Sequence, residues 1–369
     1  MKVLFLTNIP SPYRVEFFNG LCKKCDLTVL FERETATDRD SSWYGRQFDF
    51  KYKFLHSLKL KEESSLSLEV IKYLKKEFDL VIISGYSSLT TIIAILYLKI
   101  IRKKFVMVVD GSVENKNKGI KFILKKYLIS AASAWLSTGE CTTNYLIQHG
   151  AIKEKIYKYP LSSFNKTDFS SQITLDERKI LKEELGIKED KIIIYVGRLI
   201  PSKRVDLMLK SCSSIENTRI IIIGGEETDD LYKIRKENKM DNVTYISHSN
   251  KKTVKKYFLC ADLFVFLAVN EMWGLVVAEA MSQGCPVLAT DGCPAAKELI
   301  ENEINGFIIN KDIVDPKLIN KKIVSILNLG SCKTDLRNEA YKAVKEYTIE
   351  NMVSVNYDIF CEILDDKTR

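Results

Sequence analysis

Apolar residues along this 369-residue chain gather in short continuous runs rather than in strict alternation with polar ones. In the first half, Val3–Leu6, Leu27–Phe31, Leu80–Ile83, Phe105–Val109 and Ala134–Leu136 read as strands buried on both faces. Between several of them the apolar spacing turns helical, as over Leu66–Phe78 and Lys118–Ala131. Past residue 190 the pattern restarts with Ile192–Val196, Arg219–Ile223, Val243–Ile246, Leu263–Leu267 and Pro286–Ala289, again with helices between. Such strands predict parallel sheets covered on both sides, so the chain is expected to be α/β, with two Rossmann-like, doubly wound domains in series. The polar, aperiodic run 162–171 is the expected linker. It sets domains at 1–165 and 166–345, and residues 346–369 are expected to form a C-terminal helix able to pack back on the N-terminal domain. Ligands of open α/β sheets bind beyond the strand carboxyl ends, which predicts a site in a cleft between two facing domains.

Composition narrows the function classes. The chain is 46% hydrophobic and 28% charged, as expected for a globular protein with substantial cores. The opening apolar run ends at Asn8 and Pro10, too soon for a signal peptide. The run Thr91–Ile101 falls short of the roughly 18–20 residues that span a bilayer. Nine scattered cysteines suit a reducing compartment, and the expected location is cytoplasmic. Cys22-Lys23-Lys24-Cys25 lacks a second pair to complete a zinc site and reads as structural. His56, His149 and His248 are the only histidines, so no metal centre is expected. Asp38-Arg39-Asp40 has the form of a metal-binding Asp-x-Asp but follows no apolar strand, and is discounted.

Charge is unevenly placed: residues 1–165 hold 26 Lys and Arg against 16 Asp and Glu, the remainder 30 against 32. The first half is therefore expected to meet a negative partner. No nucleic-acid module or stacking platform accompanies the charge, so nucleic acid is not the expected partner. Lysines and arginines cluster at 99–104 and 116–126, the second cluster interleaved with Ile120, Phe122, Ile123, Leu124, Tyr127, Leu128 and Ile129. The apolar face of that segment is expected in the core, and the summed charge to attract an anionic membrane surface.

Chemistry concentrates after residue 196. In Val196-Gly197-Arg198-Leu199-Ile200-Pro201-Ser202-Lys203-Arg204 a buried strand ends at Gly197 and a helix is expected near Lys203 or Arg204, with Ser202 as its N-cap. Free N–H groups at the helix start, with Arg198 and Lys203 beside them, suit a diphosphate. In Asn270-Glu271-Met272-Trp273-Gly274-Leu275-Val276-Val277-Ala278-Glu279 two carboxylates stand eight residues apart. Glu279 lies among apolar neighbours, where a carboxylate needs hydrogen-bond partners such as ribose hydroxyls. Gly274 lets a ligand approach the backbone at the helix start.

Gly-Arg-Leu, Lys-Arg-x-Asp, Glu-seven-residues-Glu, and Ala-Met-x-x-Gly-x-Pro-Val, followed by Glu298-Leu299-Ile300 and Asn305-Gly306-Phe307, resemble the family-four retaining glycosyltransferases of the GT-B fold. The resemblance covers about residues 191–310, and the opening Asn8-Ile9-Pro10-Ser11-Pro12-Tyr13-Arg14 resembles members that build bacterial surface polysaccharides. It implies a nucleotide-diphosphate sugar as donor, a glycan or lipid-linked acceptor, and no metal or other cofactor. It further implies that Gly197, Arg198 and Lys203 hold the diphosphate, that Glu279 binds the ribose, and that Glu271, near the backbone of Gly274 and Leu275, contacts the transferred sugar. In the first half, Tyr13 and Arg14 after the first strand are candidates to touch the acceptor. Asp110-Gly111 stands where many family members carry a histidine, making Asp110 a candidate to accept or orient a proton of the acceptor. The competing readings are a non-catalytic nucleotide-sugar-binding protein and a GT-B-fold nucleotide-sugar epimerase. Retention of Arg198, Lys203, Glu271 and Glu279 counts against the first, and the Glu-to-Glu spacing against the second.

Overall fold

A computed structural model describes residues 1–35, 47–61, 64–111, 119–169, 173–247, 249–330 and 332–365. The chain divides into two compact units, Met1–Asn165 with Tyr347–Arg369, and Lys166–Glu346. Asp38-Arg39-Asp40, Lys116, Lys118 and His248 lie outside the described residues.

In the first unit the strands are β1 (Lys2–Thr7), β2 (Asp26–Phe31), β3 (Lys51–Phe54), the hairpin pair β4 (Leu58–Lys61) and β5 (Ser64–Leu66), β6 (Leu80–Ser84), β7 (Val106–Val109), β8 (Ala134–Ser137) and β9 (Ile156–Lys158). Seven of them form a sheet in the order β3-β2-β1-β6-β7-β8-β9, and its pairings are parallel. Helices α1 (Pro12–Leu21), α2 (Val70–Leu74), α3 (Leu89–Ile100), α4 (Ile120–Ile129) and α5 (Glu140–Gln148) connect them. Apart from the edge strands β3 and β9, the side chains of this sheet are almost wholly buried on both faces, which is why its inner strands appear as continuous apolar runs. Phe5, Phe17, Phe18, Phe31 and Phe50 pack ring against ring between β1, β2 and α1.

The second unit repeats this plan with α6 (Leu175–Glu184), β10 (Lys191–Val196), α7 (Val205–Cys212), β11 (Thr218–Ile223), α8 (Asp229–Glu237), β12 (Val243–Ile246), α9 (Lys251–Cys260), β13 (Leu263–Phe266), α10 (Leu275–Ser282), β14 (Val287–Thr290), α11 (Pro294–Leu299), β15 (Phe307–Ile309), α12 (Pro316–Leu327) and α13 (Cys332–Ala343). Its six-stranded sheet runs β12-β11-β10-β13-β14-β15. Successive strands travel outward from β10 to β12, then restart on the other side of β10 with β13. The chain therefore leaves β10 and β13 in opposite directions, opening a crevice at their carboxyl ends. The first sheet has the same reversal between β1 and β6.

The last helix, α14 (Ile349–Asp365), packs on α1. Gly20 permits the approach, since a Cβ there would stand 2.7 Å from Val353 Cγ2. The chain enters α14 through Ile349 N–H donating to the Phe164 carbonyl (2.9 Å) and Ser162 Oγ donating to the Tyr347 carbonyl (2.8 Å).

Three local expectations change. Helix is confined to α2 within the segment Leu66–Phe78, because Ser67 N–H donates to Thr90 Oγ1 and Thr90 Oγ1 to the Ser65 carbonyl, tying the preceding chain to the start of α3. Ser202 lies in a 3-10 turn, Pro201–Lys203, and α7 begins after Arg204, a left-handed residue (φ 54°) whose guanidinium donates to the Lys311 carbonyl at 2.5 Å. Helix α4 buries Leu128 and Ile129 but leaves Ile120, Ile123, Leu124 and Tyr127 exposed.

At the amino ends of the strands, Asp262 ties the second unit together. Its carboxylate accepts from Ile192 N–H (2.9 Å) and Lys333 Nζ (2.6 Å), and pairs with Arg178 at 2.9 Å. Burial alone would raise its pKa; the charges of Arg178 and Lys333 overcome this and hold it below the usual carboxylate value. The contribution is therefore complete above the unfolded-state value of about 4 and is lost as pH falls through the folded one. Asp262→Asn, which leaves buried cations uncompensated, is expected to cost about 3–5 kcal/mol at neutral pH. The deficit should shrink below about pH 4, where the wild-type carboxylate also protonates. Denaturant unfolding over a pH series measures both, and equal stability at pH 7 would refute the assignment.

Candidate active site

The crevice beside β10 and β13 is built by two loops. The first leaves β10 at Gly197, passes Arg198 and turns through Pro201–Lys203. The second leaves β13, passes Glu271 and enters α10 at Gly274. They are joined by Val269 N–H donating to the Ser202 carbonyl (3.0 Å) and by an ion pair between Lys203 Nζ and Glu271 Oε2. Both partners are mostly buried, with side-chain exposures of 11% and 17%. Lys203 Nζ also lies 5.1 Å from the centroid of the Phe266 ring at the end of β13.

The backbone around the pair is fixed from several directions. Glu271 N–H donates to the Gly292 carbonyl (3.0 Å), and Met272 N–H to Glu271 Oε1 (3.1 Å). Gly274 has φ 100°, and a Cβ there would collide with Cys293 Sγ, so only glycine fits this N-cap. Cys293 Sγ donates to the Trp273 carbonyl (3.2 Å), holding the same turn. No side chain caps α10, which leaves its first N–H groups available to an anion.

The remaining sequence candidates of this unit take distinct positions. Arg198 is exposed, and its carbonyl accepts from the buried Tyr195 hydroxyl (2.9 Å). Along α10, Val277, Ala278, Ala280 and Met281 are buried, while Leu275, Val276 and Glu279 share a half-exposed stripe. Glu279 is thus less enclosed than its apolar neighbours suggest.

In the first unit the structure brings Arg14 and Asp110 together. Arg14, on the first turn of α1, is 3% exposed and ion-paired with Asp110 Oδ2, just past the end of β7. Tyr159, just past the end of β9, donates its hydroxyl to Asp110 Oδ1 at 2.7 Å. Both carboxylate oxygens are thus engaged, and the Arg14 side chain is enclosed. Burial would lower the Arg14 pKa, but Asp110, with Tyr13 and Tyr159 beside it, raises it instead. Burial and the Asp110 charge raise the pKa of Tyr159 well above its usual value. Tyr13 is half-buried, with the Arg14 guanidinium 5.6 Å from its ring centroid. Sequence reasoning missed Tyr159, since a tyrosine ending a three-residue edge strand carries no motif.

Among the described residues no group of three or more His, Cys, Asp or Glu is arranged to hold a metal. Cys22 and Cys25 flank the end of α1, their thiols donating to the carbonyls of Asn19 and Leu21. Burial pushes the Cys25 thiol up to about 11, which leaves little reactive thiolate at neutral pH.

Residues 177–346 match the family model of the glycosyl transferases group 1. This segment is similar to that family. All the donor-site candidates of the second unit fall inside it. Over 209 residues the chain is 25% identical to an uncharacterized glycosyltransferase of Methanocaldococcus jannaschii, covering 54% of this chain and 52% of that protein. Over 297 residues it is 25% identical to a 41.2 kDa protein in the cps region of Klebsiella pneumoniae, covering 77% and 78% of the two. The chain spans about half the length, or less, of the first curated relatives it matches. Among solved structures, Anabaena Alr3699/HepE in complex with UDP is similar at a TM-score of 0.80, with 17% identity over 99% of this chain and 100% of that one. WaaG, a glycosyltransferase involved in lipopolysaccharide biosynthesis, is similar at 0.71, with 16% identity over 97% and 99%. With its two parallel-sheet α/β units, the chain has the GT-B fold of these glycosyltransferases.

The Arg14–Asp110–Tyr159 cluster predicts a structural effect ahead of a catalytic one. Asp110→Asn leaves Arg14 buried without its counter-charge and is expected to cost at least about 2 kcal/mol, discounted because Asp110 is 30% exposed. Arg14→Met combined with Asp110→Asn is expected to recover much of that loss in denaturant unfolding. Wild-type stability of Asp110→Asn would return Asp110 to a catalytic role.

Proposed function

We propose that the protein is a retaining glycosyltransferase. It moves a hexosyl or N-acetylhexosaminyl group from a nucleoside-diphosphate sugar to a hydroxyl of a glycan or lipid-linked acceptor, in cell-surface polysaccharide biosynthesis. The observation that carries this reading is the Lys203–Glu271 pair at the point where the second sheet reverses, beside the uncapped, glycine-started helix α10. Binding of UDP by HepE and the cps region of the Klebsiella relative agree with it. The basic balance of residues 1–165 supports a peripheral place at the cytoplasmic face of the inner membrane.

In this reading Arg198, Lys203 and the first N–H groups of α10 meet the diphosphate, Glu279 the ribose, and Glu271 the sugar. During transfer the bond between the anomeric carbon and the phosphate oxygen breaks, and a bond to the acceptor oxygen forms on the same face. The leaving phosphate receives the acceptor proton, so no protein base is required and the engagement of Asp110 is no obstacle. Arg198 and Lys203 stabilise the charge that grows on the leaving diphosphate, a fixed environment needing little reorganisation. Glu271 holds Lys203 in place before the donor arrives.

Thermal stabilisation by uridine, guanosine, adenosine and thymidine diphosphates and their sugars, without added metal, tests the donor site through linkage. One nucleotide is expected to stabilise the protein, and Lys203→Ala or Arg198→Ala to weaken it by about 2 kcal/mol, roughly 30-fold. Absence of any shift would favour a protein without donor binding. The ion pair adds a sign: Glu271→Gln frees Lys203, so it is expected to slow transfer while holding or tightening affinity for the free diphosphate. Glu279→Ala is expected to weaken the nucleotide itself. A Glu271→Gln protein that loses diphosphate as Lys203→Ala does would overturn these roles.

A further inference from the structure

Helix α4 is apolar on two opposite faces. At about 100° per residue, Phe122 and Ile129 fall on one side, Ile120, Ile123, Leu124 and Tyr127 on the other, and Leu128 at the edge between them. The first side and that edge are packed: Leu128 and Ile129 are buried in the core of the unit, and Phe122 lies 4.8 Å from the His149 ring. The second side, at i, i+3, i+4 and i+7, has exposures of 86%, 64%, 49% and 46%. An apolar stripe of a helix is normally turned to the core. Here it meets solvent.

The uncovered stripe continues onto α3. Lys99 Nζ sits 3.5 Å above the Tyr127 ring, joining the two helices, and Ile100 and Ile101 beside it are 78% and 43% exposed. Lys121 and Lys126 border the stripe on α4, and Arg102 and Lys104 follow the end of α3; all four are exposed or nearly so. Neither helix, nor the segment 101–109, contains an acidic residue. Among the described residues no helix is long and apolar enough to cross a membrane, so this surface suits lying on a bilayer rather than spanning it.

We infer that the face formed by Ile120, Ile123, Leu124 and Tyr127 with the end of α3 is the surface by which the protein docks on an anionic phospholipid bilayer. Aliphatic side chains enter the boundary between headgroups and acyl chains while flanking lysines pair with lipid phosphates, the arrangement of an interfacial amphipathic helix. Charge decides the occupant. A second copy of the same face would set lysines against lysines, whereas an anionic lipid surface neutralises them all. The inference deepens the peripheral part of the reading above by naming the surface, and it uses none of the donor-site residues.

Co-sedimentation of the full chain with vesicles tests it. The protein is expected to bind vesicles of equal parts phosphatidylcholine and phosphatidylglycerol, and to bind pure phosphatidylcholine about tenfold less or worse. High salt should reduce binding to the mixed vesicles. The triple variant Ile120→Ser, Ile123→Ser, Leu124→Ser is expected to lose binding by about tenfold or more while keeping its nucleotide-induced thermal shift. Ile304→Ser, an exposed apolar site of the other unit, is the control and should bind as wild type. Ile123→Trp should show blue-shifted fluorescence on mixed vesicles only. Full binding by the triple variant, equal binding to both vesicle types, or no binding at all would overturn the docking surface. So would a wild-type dimer that the triple variant turns into monomers. Because the thermal shift is read on the same variant, failure of donor binding is distinguishable from failure of docking.

Discussion

The ion pair between Lys203 and Glu271 is the contact on which the arrangement of the second unit's crevice depends. Parallel strands alone deliver two loops to the same sheet end; they do not fix where those loops stop. Here one loop stops at an ammonium and the other at a carboxylate, both mostly out of water. Such a pair gains little net stability over apolar residues, because desolvation offsets most of the attraction. Its value lies in position. It forces Gly274 and the first turn of α10 to a set distance from Gly197, and the backbone bond from Val269 to Ser202 enforces the same register.

Three cations near strand ends show how burial and partners divide roles that the sequence presents as equivalent. Arg14 is enclosed and tied to Asp110, with Tyr159 on the opposite oxygen, so its charge serves the packing of α1 against β7 and β9. Lys203 is held by a carboxylate yet remains at the crevice, where an arriving anion could share it. Arg198 is exposed, and its carbonyl accepts from the Tyr195 hydroxyl. The less enclosed a cation is, the more of its charge remains for a ligand. On that scale Arg198 and Lys203 suit a diphosphate and Arg14 does not.

The ten apolar runs were readable as strands because parallel strands buried on both faces leave an unbroken hydrophobic signature. Strands β3, β9 and β15 escaped for the complementary reason: they lie at sheet edges, span three or four residues, and are only partly buried. The donor-site candidates were readable because their spacing within one short segment is itself the signal. The pairing of Arg14 with Asp110 was not, since 96 residues separate them and no local pattern records which strand ends the sheet brings together. Ser202 was read as a helix cap on residue type, but the left-handed Arg204 moved the helix start beyond it.

Helix α4 marks the limit of periodicity as evidence. A helical moment argues that an apolar stripe is buried, but it does not say what covers that stripe. Residues 120–129 therefore looked like an ordinary core helix with its lysines in water. The core takes the residues Leu128 and Ile129 of this helix. The uncovered face cannot be excess packing material. Four aliphatic and aromatic side chains kept in water at i, i+3, i+4 and i+7, bordered by lysines and by no carboxylate on either helix, are costly to a protein that never covers them. The physical reading that removes this cost is a second environment for the helix, apolar at its surface and negative at its edge.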